Sequence, residues 1–388
     1  MAYLRLGLFL GCSFLAAAAA AAACGNFSGA DTSSDADAGA DATGDSNAAS
    51  ADASGTTDGS KQGVDSGKPA SGTLTTLAKA TNAQGLFVND NYVYYTTSDF
   101  AHPTNEVGRI SKKSGILTKL AGSETAVQQV VTLDDDYVFW TTWGDSLRGV
   151  RSGSAGMPQT LIGPSSAWFA IGLVGNTNVV AAEFGGRRFV LPPTFAPGLD
   201  GGPYVPAVTG DVYATADAGD GGDAGLVTPS AYSHFQSSGG EVFWTNEASD
   251  GSGGVYSAAS DGTVTRWALD QANPWGLAVS DKYIVYTTYG VAGQKEGRVV
   301  RIDRVTKATK VLADNFTRLA GVLISGADVY FAEFADGGSV WRVPLDGSTT
   351  QTAVAEAQHQ PQSLAQDADA IYFTLNDTVN GGVVRMQK

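Results

Sequence analysis

Cysteine and histidine are scarce. The 388 residues hold two cysteines, Cys12 and Cys24, and three histidines, His102, His234 and His359. Two thiols give neither a disulfide framework nor a cysteine-ligated zinc site, and the three histidines share no spacing that would make a triad or a zinc set. Cations are also few: 24 Lys and Arg stand against 39 Asp and Glu, a formal charge of −15. That balance argues against nucleic acid or anionic lipid headgroups as partners, since each would be repelled at low salt. Sustained helical spacing is missing throughout, and the only long apolar run lies at the start.

That start, MAYLRLGLFLGCSFLAAAAAAAACGNFSG, carries one cation, Arg5, and then an apolar run from Leu6 to Ala23. This is the order of an export signal, assigned to residues 1–23. Cys24 follows Ala21, Ala22 and Ala23, which resembles the bacterial lipobox, where small residues precede a cysteine that becomes lipidated and N-terminal. The pattern departs at Ala21, where Leu is usual. Cleavage within the alanine run and an uncleaved anchor of marginal spanning length are the alternatives. Lipidation of Cys24 would remove Cys12 with the signal, so the folded part would rely on packing alone.

Residues 24–72 comprise that cysteine and a stretch of Ala, Asp, Ser, Gly and Thr with no aromatic after Phe27. Eight aspartates and two lysines, Lys61 and Lys68, leave residues 25–72 at −6. So little apolar surface cannot offset the entropy of ordering, and a disordered tether is expected. A flexible coil of that length spans roughly 35–40 Å between its ends.

The remainder, 73–388, repeats. Val93-Tyr-Tyr-Thr-Thr97, Val138-Phe-Trp-Thr-Thr142, Val179-Val-Ala-Ala-Glu183, Val242-Phe-Trp-Thr-Asn246, Ile284-Val-Tyr-Thr-Thr288, Val329-Tyr-Phe-Ala-Glu333 and Ile371-Tyr-Phe-Thr-Leu375 form seven rows. Their first residues are 45, 41, 63, 42, 45 and 42 positions apart. A period of about 43 residues is that of a four-stranded propeller blade. The long third interval holds an insertion around TADAGDGGDAG. It copies the composition of the tether and lacks the alternate spacing and terminal Glu of an EF-hand, so a flexible loop is expected.

Row five shows the pattern of a blade: Gly276–Lys282 is a strand (a) and polar turn, Tyr283–Thr288 a second strand (b), Gly297–Asp303 a third (c) and Ala308–Ala313 a fourth (d). Row seven ends after its third strand, while Gly72–Ala78 has the fourth-strand pattern ahead of row one. The expected fold is therefore an all-β, seven-bladed propeller of four-stranded blades, closed by its N-terminal strand, which would remove an open edge. Row three, VVAAE, is degenerate, so six blades plus an irregular segment is the alternative count. The Tyr/Phe-Trp-Thr steps, with Leu345-Asp-Gly-Ser348 and Ser260-Asp-Gly-Thr263, resemble the Tyr-Trp-Thr-Asp repeats of lipoprotein-receptor-type propellers. That family usually has six blades and ends its motif with Asp, where this chain has Thr, Glu, Asn or Leu.

In such a ring the b–c and d–a loops share one face, here the top, and the a–b and c–d loops share the bottom. Bottom turns such as Asn89-Asp-Asn, Asp134-Asp-Asp and Ser280-Asp-Lys are polar. The top collects Phe100, Trp143, Trp168, Phe184, Trp275, Tyr289 and Phe334. Aromatic rings with a polar rim suit binding of a protein or glycan, and equally suit plugging of gaps between blades. Trp140 and Trp244, inside strand b, are assigned to packing. Glu183 and Glu333 recur in matched register, with Asn246 in the same place. Similarity to gluconolactonase-type propeller hydrolases implies a divalent metal such as Ca²⁺ held by ligands of this kind. Strand a, which lines the channel, offers mainly Gln84, Gln129, Trp275 and Gln362.

The sequence thus points to an exported, lipid-anchored outer-membrane protein of a bacterial cell envelope, a non-catalytic propeller without cofactor. Its candidate binding residues are Trp143, Trp168, Trp275, Phe184, Phe334, Glu183, Asn246 and Glu333. The alternative is a metal-dependent lactonase-type hydrolase.

Overall fold

A computed structural model describes residues 72–388 apart from 100–103, 134–136, 143–146, 153–156, 163–167, 175–177, 184–186, 192–209, 212–233, 247–252, 260–262 and 291–293. In row three only the backbone is described, except at Ile171 and Gly172. The regular structure of the described residues is entirely β. Its strands form antiparallel four-stranded sheets, one to each row of the repeat, each in the order a-b-c-d. The last row takes its fourth strand from the other end of the sequence. Leu74–Lys79 pairs antiparallel with Gly382–Gln387, Leu74 opposite Met386 and Lys79 opposite Gly382. The ring is therefore closed by backbone hydrogen bonds between its two ends.

Six rows make complete blades, with every strand four residues or longer. Row three does not, and the count of seven blades is corrected to six plus a reduced sheet. That sheet lies between rows two and four, and its outer strand is only Gly210–Asp211, paired with Arg188 and Arg187. Two causes are visible. The insertion after Leu191 separates strands c and d, and row three has alanine where the other motifs carry an aromatic ring at the third position.

The repeated motif has a mechanical reason. Position three of the motif is a ring buried between blades: Tyr95, Trp140, Trp244, Tyr286, Phe331 and Phe373 are all at most 2% exposed. These rings join apolar clusters that cross from one blade to the next. One contains Phe243, Leu277, Tyr286 and Val300; another contains Leu319, Val322, Phe331 and Val343 with Phe316.

Position four, threonine, is a hydrogen-bonded staple. In row five the Thr287 hydroxyl accepts from Gly276 N at 2.8 Å and donates to Ala320 O of the next blade at 2.7 Å. Thr245 does the same with His234 N (3.3 Å) and Trp275 O (2.9 Å). Thr374 uses Ser363 N (3.0 Å) and Gln84 O (3.1 Å), and Thr96 uses Gly85 N (2.8 Å) and Gln128 O (3.4 Å). Each staple satisfies two backbone groups in the dry gap between sheets, at about 0.5–1.5 kcal/mol net per bond.

The approach this requires also explains the glycine in strand a. A Cβ at Gly85 would lie 2.7 Å from both Gln128 O and the Thr96 hydroxyl, and at Gly276 it would collide with Ala320 O. Every complete strand a except row four's has a register shift at this point, as between Ala83 and Leu86 or Pro274 and Leu277. The bulge aims the freed N–H at the staple. Row three lacks the device: Ala182 has no hydroxyl, and the buried hydroxyl of Thr141 in row two has no hydrogen-bond partner. There the tie is a side-chain one, Ile171 N donating to Gln129 Oε1 at 3.0 Å.

The bottom face adds a lock at the ring closure. Asp367, in the a–b turn of row seven, pairs with Lys112 of row one at 2.6 Å. It also accepts hydrogen bonds from Tyr372 Oη (2.8 Å), Asp369 N (2.9 Å) and Ala370 N (2.8 Å). Burial alone would raise its pKa, but Lys112 and these donors outweigh burial and hold the carboxyl well below the usual carboxylate range. Burial and the bond to Asp367 push Tyr372 up to about 12.

Candidate functional site

Strand a starts at the top, so the residues before and at its first two positions surround the mouth of the channel. Three backbone bonds fix this rim on rows five and six. Tyr289 N donates to Asn273 O at 2.7 Å, Leu319 N to Tyr289 O at 3.3 Å and Phe334 N to Arg318 O at 3.0 Å. The b–c loop of each row is thus tied to the starts of two strands a, and the side chains it carries are held in place.

Those side chains form a continuous strip across rows four, five and six. The His234 ring lies 5.7 Å from that of Trp275, Trp275 lies 5.0 Å from Tyr289, and Tyr289 lies 6.2 Å from Phe334, with tilts of 52°, 33° and 40°. The Arg318 guanidinium sits 5.7 Å from the Tyr289 ring centroid. All five residues are half-buried. They are packed enough to be rigid and open enough to be touched.

Across the mouth, rows seven, one and two carry amides. Gln84 donates to Gln128 Oε1 at 2.9 Å, Gln128 donates to Ser98 Oγ at 3.4 Å and Asn376 donates to Gln362 Oε1 at 2.5 Å. Gln128 and Gln362 are 7% and 8% exposed, whereas Gln84 and Asn376 are half-buried. Two buried amides therefore orient two accessible ones. The register differs from the expected one: Gln128, not Gln129, shares the second strand position with Gln84 and Gln362, and Gln129 sits level with Gly85. Beneath the rim, a cavity of about 350 Å³ runs among the inner strands, with Gly85, Gln129, His234, Gly276, Gly321 and Ser363 in its wall. That volume falls in the range of small-ligand pockets.

The sequence candidates separate on this frame. Trp275 and Phe334 belong to the strip through Tyr289. Trp143, Phe184, Phe100 and Cys24 lie outside the described residues, as does His102. Trp168 and Glu183 face each other as backbone partners in the row-three sheet. Glu333 accepts a hydrogen bond from Trp341 Nε1 at 3.1 Å inside its own blade. Asn246 ends strand b of row four, paired with Gly254. Glu333 and Asn246 are therefore strand-end residues of separate blades. Among the described residues no three His, Cys, Asp or Glu side chains lie together as metal ligands would. His359 pairs with Asp336 at 2.9 Å at the outer strands of row six.

Two members of the strip escaped sequence reasoning. His234 directly precedes strand a of row four, Phe235–Ser238, and lies level with Gly276, because Phe235 pairs with Trp244 as Leu277 pairs with Tyr286. Aligning rows four and five on strand a exposes it. Arg318 immediately precedes strand a of row six, and nothing in the local sequence marks it.

No protein-family model and no curated protein matches this chain. Solved structures do. The chain is similar to RRP9 WD40 repeats at 12% identity and a TM-score of 0.59, covering 83% of this chain and 99% of that one. It is similar to U3-55K at 11% identity and a TM-score of 0.58, covering 81% and 98%. BamB from Moraxella catarrhalis aligns at 14% identity with a TM-score of 0.47, covering 79% and 85%. At such identities the likeness is one of fold, and the fold is a β-propeller.

Proposed function

We propose that this protein is a non-catalytic binding propeller that holds a protein or glycan partner on the aromatic part of its top face. The observation that carries the reading is the strip His234–Trp275–Tyr289–Phe334, four rings in sequence across three rows, half-exposed and fixed by backbone bonds. Rings packed only to plug a gap would be buried, as Trp140 and Trp244 are at 0% exposure. In this reading the apolar run Leu6–Ala23 acts as an export signal and Cys24 as a lipid anchor, so that the face would stand at the bacterial envelope, tethered to the outer membrane by the acidic stretch that follows.

The lactonase-type alternative needs Glu183, Asn246 and Glu333 around one metal, and Glu333 is already engaged by Trp341. The deciding experiment is a screen of the full chain against glycans and envelope proteins, repeated with Trp275→Ala. A partner lost in the variant supports the top face. A partner held with unchanged affinity refutes it.

A further inference from the structure

We infer that the ligand of the top face is a neutral glycan chain that crosses the mouth from the aromatic strip to the amide arc; this rests on the binding reading above. The argument is one of chemical complement. A pyranose presents a flat C–H face and a rim of hydroxyls, each both donor and acceptor. Trp275, Tyr289 and Phe334, half-exposed rings with centroids 5.0 and 6.2 Å apart, offer apolar aromatic surface for the first. The amides offer the second. Gln84 and Asn376 each commit one N–H to a buried amide, Gln128 or Gln362, which leaves a carbonyl oxygen and a second N–H for a ligand. The amide arc is thus uncharged but polar at its edge, while the aromatic strip carries one cation, Arg318, held against Tyr289.

Charge narrows the choice. A chain at −15 repels polyanionic sugars and acidic peptides alike. An extended peptide would be recognised mainly through main-chain hydrogen bonds to a free strand edge, whereas among the described rim residues Tyr289, Phe334 and Asn376 all spend their N–H on the segments before neighbouring strands. What these residues present is half-exposed aromatic rings and amide heads.

The test uses the full chain in detergent against an array of neutral oligosaccharides and, in parallel, a library of extended and proline-rich peptides, with tryptophan fluorescence as a second readout. At least one neutral glycan is expected to bind. Trp275→Ala and Phe334→Ala should each weaken it by about tenfold or more, and Gln84→Ala by several-fold, roughly as for a lost hydrogen bond. Near-ultraviolet circular dichroism shows which variants keep the fold, and any that lose it are replaced by Gln84→Glu and Trp275→Phe. An array without a neutral glycan, or a peptide released by Trp275→Ala, overturns the glycan inference and leaves the top face standing in the second case. A glycan that binds every folded variant equally overturns both.

Discussion

The Thr287 hydroxyl bridges Gly276 N and Ala320 O, at 2.8 and 2.7 Å, so that one side chain joins its own inner strand to that of the next blade. The threonine of the repeat recurs in the sequence because the same joint is made in rows one, four, five and seven. Replacing Thr287 by valine keeps the volume and leaves a buried donor and a buried acceptor without partners. A loss of about 1–3 kcal/mol is expected, read from the midpoint of urea unfolding at unchanged slope.

The converse change is available in row six, where Ala332 stands in the threonine position. Gly321 has the same close approach to the Gln362 carbonyl as Gly85 has to Gln128. Ala332→Thr should therefore complete the staple between rows six and seven and raise stability by about 0.5–1.5 kcal/mol. Unfolding at lower urea than the parent would show that this junction is too tight to admit the hydroxyl.

How much of this was legible beforehand follows from the same residues. Period and motif located the rings at Tyr95 through Phe373 and the strand swap of Leu74–Lys79, because both depend on spacing along the chain. Row three resisted, since degenerate letters do not say whether a strand of two residues still pairs. The site was read in part for a physical reason. In a blade both faces of each sheet pack against neighbours, so alternation along a strand cannot say which polar residue meets the channel and which meets the next blade. Glu333, a candidate ligand by its register, receives Trp341 inside its own blade; Gln128 and Gln129 exchanged places through a bulge.

The Lys112–Asp367 pair locks rows one and seven at 2.6 Å, with side chains 18% and 19% exposed. Asp367 has a native pKa below its unfolded value, so its contribution is present above about pH 4 and fades as pH falls through the unfolded value toward the native one. Tyr372 is shifted the other way. Its contribution is full below about pH 10 and is lost as pH rises toward the native value of about 12. Thermal unfolding across pH should show a plateau bounded on both sides. In Asp367→Asn the acid slope should flatten, with a loss of about 1–3 kcal/mol at neutral pH. An unchanged acid slope would mean that other carboxylates govern it.

Glu124 is 2% exposed and accepts from Arg148 Nη1 at 2.9 and 2.7 Å and from Trp140 Nε1 at 3.3 Å. Glu124→Ala strands a partly buried guanidinium beside an unpaired indole, and a loss of about 3–5 kcal/mol is expected. Glu124→Gln keeps the volume and one acceptor oxygen, exchanging the other for an N–H donor, and should cost less than half of that. Equal losses in the two variants would assign the effect to the carboxylate's charge instead of packing.

Cys24 is the only cysteine that would remain after removal of residues 1–23. Acylation there should attach the protein to membrane fractions, since each buried CH₂ contributes about 0.8 kcal/mol and several chains together hold firmly. Cells fed a radiolabelled or alkyne-bearing fatty acid are expected to label the wild-type chain and not Cys24→Ser, and the variant should move to the soluble envelope fraction. Label retained in Cys24→Ser would place the lipid elsewhere. A variant that stays membrane-bound without label would instead identify the run Leu6–Ala23 as an uncleaved anchor, and the tether would then begin at a spanning segment.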